Sequence, residues 1–320
     1  MRFQVRRRSY LQHFQKGHCM SLFAFCRRSM GLIATVSFMA MHASASAAET
    51  QTEVYATRGD RELTITLHSP PDWSANDARP SIIFFFGGGW NAGSIEQFET
   101  QADYLASRGM VAARADYRVK SRDGVTPDEC VRDARSAVRW MKKNASRLGI
   151  DPEKLVASGG SAGGHLAACM MIDSSVEAAD DDLSISTTPV AMILFNPVLT
   201  FEPPPLKERL GDHQDLAGKI SPIAFLDKNT PPSLILFGSD DQLLALAEPY
   251  WEQAEQLGVR ADRFLADGKG HGFFNRSPWQ ERTLIAADAF LVSLGLLEGQ
   301  ATLEAPDDEP APARRRARNN

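Results

Sequence analysis

The sequence predicts an α/β domain built on an open, mainly parallel, doubly wound sheet with helices on both faces, and three observations predict it. Short apolar runs alternate with amphipathic segments from Ser81 onward, the runs are apolar on both faces as buried parallel strands are, and no internal repeat divides the chain. The strand runs are Ser81–Phe86, Met110–Ala115, Leu155–Ser158, Val190–Phe195, Ser233–Phe237 and Arg260–Leu265. Helical spacing fills the intervals at Glu96–Arg108, Pro127–Leu148, Ala162–Asp173, Leu243–Leu257 and Pro278–Leu294. Ahead of them, Glu62–His68 alternates polar and apolar residues and stops at Pro70-Pro71, as one arm of an entry hairpin does. Residues 199–230, with Pro203-Pro204-Pro205 and His213, are too long for an ordinary connection and are expected to form a lid-like insertion.

The chain of 320 residues is 43% hydrophobic and 23% charged, enough to bury a core and too apolar for global disorder. Its net charge of −5 hides an uneven distribution. Residues 1–48 hold seven basic side chains and no acid, whereas 301–320 balance four acids with four arginines. Residues 49–300, the expected catalytic body, carry 24 basic and 36 acidic side chains, a net of −12 that disfavours nucleic acid or any polyanion as partner.

The basic amino end reads as a signal peptide over residues 1–48. Arg27-Arg28 precede an apolar run from Met30 to Met41, and Ala43–Ala48 offers the small residues signal peptidase accepts. That run is too short to span a bilayer, so an exported chain, periplasmic or secreted and without stable membrane insertion, is expected. Met20 begins a leader of more usual length, and Arg7-Arg8 or Arg27-Arg28 also admit a twin-arginine reading. From Ala301 the Ala/Pro/charge-rich stretch is expected to stay unfolded. Export leaves Cys130 and Cys169, for which two buried free thiols are favoured over a disulfide. Neither belongs to a Cys/His ligand pattern, so no metal is expected.

The chemistry-bearing signal is Leu155–Gly164, a strand running through Gly159-Gly160-Ser161-Ala162-Gly163 into a helix. A strand turning this sharply leaves no room for side chains at Gly159 and Gly163, and strain at the serine lifts its hydroxyl above the sheet edge. A serine hydroxyl needs a base to take its proton, and the histidines after the leader are His68, His165, His213 and His271. In such sites the chain order is serine, acid, histidine, which selects His271 in Gly270-His271-Gly272-Phe273-Phe274. His165 lies one helical turn beyond Ser161, about 6 Å along the axis and leading away from the strand edge, so it reads as a packing residue. His68 and His213 read as structural or surface groups, with His213 still able to touch substrate.

The acid should follow Ser233–Phe237, where Gly238-Ser239 leads into Asp240 and Asp241. Asp241 is favoured, because the extra residue carries its carboxylate past the turn, and Asp240 is then a turn or helix-capping group. Oxyanion donors are expected from the glycine turn after the first central strand, Phe86-Gly87-Gly88-Gly89-Trp90: the N–H groups of Gly87 and Gly88, with that of Ala162. Trp90, Phe273 and Phe274 are the aromatic residues expected to line the substrate pocket with the insertion. The glycine clusters match neither the dinucleotide fingerprint nor the phosphate loop, so nucleotide binding has no support.

These residues resemble the α/β-hydrolase esterase/lipase family, in particular its exported acetyl-esterase and feruloyl- and acetylxylan-esterase-like branch. The resemblance runs over roughly residues 60–295 through Gly87-Gly88-Gly89-Trp90, Asp116-Tyr117-Arg118, Ala137-Val138-Arg139-Trp140, Gly149-Ile150-Asp151-Pro152, Gly160–His165, Asn196-Pro197 and Gly270–Phe274. It implies an α/β-hydrolase fold and a two-step ester hydrolysis by Ser161, His271 and Asp241 without metal or organic cofactor. Small acyl groups such as acetyl, on carbohydrate or another small alcohol, are the substrates it implies. One departure stands out: related enzymes usually carry histidine before the three glycines, where this chain has Phe86, which cannot support the turn by hydrogen bonding. Two other readings share parts of this pattern. A prolyl-oligopeptidase-like peptidase has the same triad but usually a propeller for which residues 49–80 are too short, and a non-catalytic carbohydrate- or partner-binding relative would not need an intact triad.

Overall fold

The computed structural model describes residues 49–172 and 175–306. The expected leader, 1–48, and the end of the expected tail, 307–320, lie outside the described residues. One eight-stranded sheet organises the domain: β1 (Glu49–Arg58), β2 (Arg61–Ser69), β3 (Arg79–Phe85), β4 (Val111–Ala115), β5 (Ile150–Gly160), β6 (Ala191–Phe195), β7 (Ser233–Gly238) and β8 (Ala261–Ala266). Their spatial order is β1-β2-β4-β3-β5-β6-β7-β8. β1 and β2 form the antiparallel hairpin, β2 runs antiparallel to β4, and all remaining pairs are parallel. The α/β-hydrolase architecture read from the sequence is the one observed.

The helices are α1 (Glu99–Ser107), α2 (Lys120–Asp123), α3 (Pro127–Lys143), α4 (Ala145–Leu148), α5 (Ala162–Cys169), α6 (Pro204–Lys207), α7 (Leu244–Leu257) and α8 (Trp279–Ser293). The period-2 alternation of a strand sorts neighbouring side chains onto opposite faces. On β3, Ile82 and Phe84 join the core beneath α1 and α8, while Ile83 and Phe85 join the one beneath α3, α5 and α7.

Three helices differ from the expected spans. Residues 95–98 form a 3-10 turn capped by Ser94 before α1 begins. The expected Pro127–Leu148 helix breaks at Asn144, whose side-chain amide donates to the Trp140 carbonyl at 2.8 Å. α5 stops at Cys169, where the Arg135 guanidinium donates to the carbonyls of Cys169 and Ile172 and closes the end of the helix.

The insertion over 199–230 is a string of short turns, and its apolar side chains Phe201, Leu210, Ala217 and Ile220 are buried. Its ties run to the glycine turn and to α3: Arg209 donates to the Gly89 carbonyl at 3.0 Å, and His213 Nδ1 lies 3.1 Å from Asp128. It therefore leaves the side chain of His271 44% exposed rather than covering it as a lid would. At the carboxyl end, the stretch expected to be unfolded begins as ordered chain. The Thr302 amide donates to Tyr104 Oη at 3.2 Å, and Leu303 packs on the core beneath α8.

Candidate active site

Five neighbouring strand ends bring the candidate residues together. β3, β5, β6, β7 and β8 lie side by side with Phe85 opposite Gly159, Gly160 opposite Phe195, Phe195 opposite Leu236, and Gly238 opposite Ala266. Immediately beyond these ends come Gly87, Ser161, Asn196, Asp241 and His271, so the parallel register turns a sequence order into a row of side chains along one sheet edge.

Ser161 occupies the turn between β5 and α5 with φ 53° and ψ −114°, a region that costs a non-glycine residue about 1–3 kcal/mol. The turn is pinned by its amide, which donates to the Phe195 carbonyl at 2.8 Å. A Cβ at Gly163 would collide with the Phe85 carbonyl, and one at Gly159 would meet that oxygen at 2.6 Å, which is why both positions are glycine.

Ser161 Oγ lies 2.9 Å from His271 Nε2, and His271 Nδ1 lies 2.8 Å from Asp241 Oδ2. The carboxylate can only accept, so Nδ1 carries the proton and Nε2 accepts from the serine hydroxyl. Asp241 is 5% exposed, and its second oxygen accepts the Leu243 amide at 2.9 Å. The cap-like bond expected of Asp240 is thus made by Asp241; Asp240 is exposed, accepts from Ser239 Oγ, and fastens the histidine loop through its amide, which donates to the Lys269 carbonyl at 2.9 Å. Asn196, fully buried with φ 37°, accepts the Gly272 amide at 3.1 Å and sets its Nδ2 3.5 Å from His271 Nε2. A hydroxyl donating to a neutral imidazole whose other nitrogen is held by a buried carboxylate can lose its proton as it attacks a carbonyl.

The other histidines among the described residues stay outside this relay. His165 is fully buried beneath the insertion, where Nε2 donates to the Ile220 carbonyl at 2.7 Å, and burial lowers its pKa to about 4. His68 accepts from Arg114 at Nε2 and donates from Nδ1 to Asp103, and its burial also lowers its pKa. His213 is engaged with Asp128 and Thr126. Cys130 and Cys169 are buried free thiols; Cys130 donates to the Arg118 carbonyl at 3.1 Å, and burial pushes both thiols up.

Two of the expected site assignments are corrected. Gly87 abuts the serine turn, since a Cβ there would meet the Gly160 carbonyl at 2.8 Å and Ser161 Cβ at 3.4 Å, but its N–H donates to Gln97 Oε1 at 2.6 Å. It is therefore spent on a side chain and is no oxyanion donor. Ala162 opens α5, where an N–H has no intrahelical acceptor.

Phe274 is the second correction, while Trp90 lines a small cavity of about 140 Å³ with Gly89 and Arg209. Trp90 is 3% exposed, edge-on to His165 at 5.2 Å and tilted against Phe201 at 4.9 Å. Phe274 is 1% exposed, stacked on Phe98 and packed against Phe195. Phe274 supports the serine turn from within, since a Cβ at Gly160 would meet its ring at 2.7 Å, and large aromatic faces gain about 25 cal/mol for each Å² removed from water. Phe273 is half-buried against Trp279. The open cavity at the relay, about 420 Å³, is lined instead by Asp240, Asp241, Gln242, Leu243 and His271. A larger one, about 610 Å³, lies by Arg135, Arg139 and Glu177, away from the serine.

Phe86 holds its turn by other means than the histidine usual at that place. Its ring stacks on Tyr117 at 4.1 Å, and its carbonyl accepts Tyr117 Oη–H at 2.7 Å. Tyr117 and Asn196 stood in the sequence without an assigned role, and Gln97 and Asn275 carried no local signal at all.

Esterase 2 of Thermogutta terrifontis, in its apo form, is 40% identical, with a TM-score of 0.74 over 80% of this chain and 98% of that one. The chain belongs to the α/β-hydrolase esterases. The BD-FAE family model matches residues 67–204 of this esterase. It is also 27% identical over 232 residues to a probable isoprenylcysteine alpha-carbonyl methylesterase of Oryza sativa, covering 65% of this chain and 53% of the relative. With the probable carboxylic ester hydrolase LipM of Mycobacterium tuberculosis it shares 25% identity over 210 residues, 58% of this chain and 47% of the relative. The chain thus spans about half the length of these two curated relatives. Solved forms of the Thermogutta enzyme include propionate-bound, butyrate-bound and sarin-phosphonylated ones.

Proposed function

We propose that this chain is a serine hydrolase that cleaves carboxylic esters of small acyl groups through an acyl-enzyme. The observation that carries the proposal is the unbroken relay from Ser161 Oγ through His271 to Asp241, with separations of 2.9 and 2.8 Å. Ser161 Oγ bonds to the ester carbonyl carbon as its proton passes to His271 Nε2, and the carbonyl π electrons move onto oxygen. We assign the oxyanion to the N–H groups of Gly88 and Ala162, with Gly89 in place of Gly87. Collapse expels the alcohol, which takes the proton from His271. Water then gives a proton to His271 and attacks the acyl-enzyme, and the acid leaves as the proton returns to Ser161. Asp241 fixes the imidazole tautomer and stabilises the imidazolium without becoming protonated.

A short acyl chain is supported by the propionate- and butyrate-bound forms of the Thermogutta relative and by the packing of Phe274 behind the serine turn, and acetyl is the next shorter member of that class. A sugar or another small alcohol is the alcohol half of this proposal. Export by residues 1–48 belongs to the same proposal. The test is turnover of 4-nitrophenyl acetate, butyrate and octanoate, followed by acetylated sugars. Ser161→Ala is expected to lower turnover at least on the order of a thousandfold. Equal turnover by that variant removes the serine mechanism, and preference for octanoate removes the short-acyl assignment.

A further inference from the structure

Resting on the serine-esterase reading, we infer that Gln97 and Asn275 are positioning residues that tie the oxyanion turn to the loop carrying His271. Gly87 N–H donates to Gln97 Oε1 at 2.6 Å, Gln97 Nε2 donates to Asn275 Oδ1 at 3.0 Å, and Asn275 Nδ2 donates to the Gly272 carbonyl at 2.9 Å. Gly272 directly follows His271, and its own amide is held by Asn196 at 3.1 Å. A chain of two side-chain amides therefore runs from the turn beside the nucleophile to the residue beside the base.

Its two ends fix its direction. A backbone N–H can only donate and a carbonyl can only accept, so each amide has one orientation that satisfies both neighbours. Glutamate at 97 accepts from Gly87 but has no proton for Asn275, and leucine at either position breaks the chain. The outer link between Gln97 and Asn275 is exposed, so it adds little to global stability. Its effect lies in geometry: the glycine turn follows β3 and the base follows β8, two strand ends separated in the sheet by β5, β6 and β7. The chain also serves where Phe86 cannot, because it anchors the first peptide of the glycine turn.

The experiment uses the full chain and a short-chain 4-nitrophenyl ester, with kcat, KM and the thermal midpoint measured for each variant. Gln97→Leu is expected to lower kcat roughly tenfold, with KM within about twofold, because displaced oxyanion donors weaken transition-state contacts more than ground-state ones. Gln97→Glu regains part of the loss through the retained Gly87 bond. The double variant Gln97→Leu/Asn275→Leu is expected to be no slower than the slower single one, the mark of two residues acting as one link. Thermal midpoints stay within a few degrees of the parent. If Gln97→Leu does not fold, Asn275→Leu breaks the same link from its exposed end and is expected to show the same selective loss of kcat. Unchanged kcat in the folded variants, or losses that multiply in the double variant, overturns the positioning role while leaving the esterase reading intact. A parent chain that neither turns over esters nor reacts with a fluorophosphonate overturns both.

Discussion

The sheet edge at Ser161 and the outer face of α3 use the same chemical parts to opposite ends. On α3, Asp133 has a fully buried side chain, and its two oxygens accept from Arg118 and Arg58. Nearby, Arg135 and Arg139 share Glu177, and Arg139 also holds Asp181. Every group there is matched to a partner of opposite charge, and the lattice joins β1, α3 and the segment following α5. At the sheet edge Asp241 is equally buried, but its partner is a histidine left 44% exposed with one nitrogen turned to a serine. A saturated network holds shape, while an unsaturated one with a single open end can move a proton.

Substitutions on each side break that contrast in different observables. The largest effect is expected from Asp241→Asn, which should lower kcat by about a thousandfold or more through loss of the correct imidazole tautomer, with the fold kept. Asp240→Asn, one residue away and exposed, should stay within about twofold, and the pair is read by steady-state ester turnover. Next, Asp133→Ala is expected to lower unfolding free energy by about 3–5 kcal/mol in urea titration, because it removes the buried carboxylate that accepts from Arg58 and from both the amide and the guanidinium of Arg118. The kcat of the fraction that stays folded should hardly change.

The smallest effect belongs to His165, buried beneath the insertion, and is read by pH. His165 has a folded pKa of about 4 against its ordinary 6.5, so between these values the unfolded chain binds the extra proton. Its neutral form is the one the folded site accepts, and stability is complete above pH 6.5 and falls as the pH drops toward 4. The whole window amounts to about 3 kcal/mol at 1.36 kcal/mol for each pKa unit. Urea unfolding at pH 7.5 and 4.5 should show this loss in the parent and a smaller one in His165→Gln; equal losses would remove His165 as its source.

Ser161, Asp241 and His271 were legible in the sequence because each sits in a local pattern with its own physical reason: a glycine-flanked strand-to-helix turn, an acid after a buried strand, a histidine between glycines. Fold class was legible for the same reason, since strand and helix periodicities are written over a few residues. The choice between Asp240 and Asp241 was sharpened by geometry, as the second carboxylate alone reaches the imidazole. Phe274 misled because an aromatic residue looks alike in sequence whether it faces a ligand or a core.

By itself the sequence determined the alternating architecture, the order of the catalytic groups and the steric need for glycine around Ser161. Only the tertiary structure decided which amide hydrogens are spent, which aromatics are buried and which side chains join distant loops. Ser161 and His271 are 110 residues apart, and Gln97 and Asn275 are 178 apart. Such contacts arise from parallel strands laid side by side in register, a relation that no short window of residues contains.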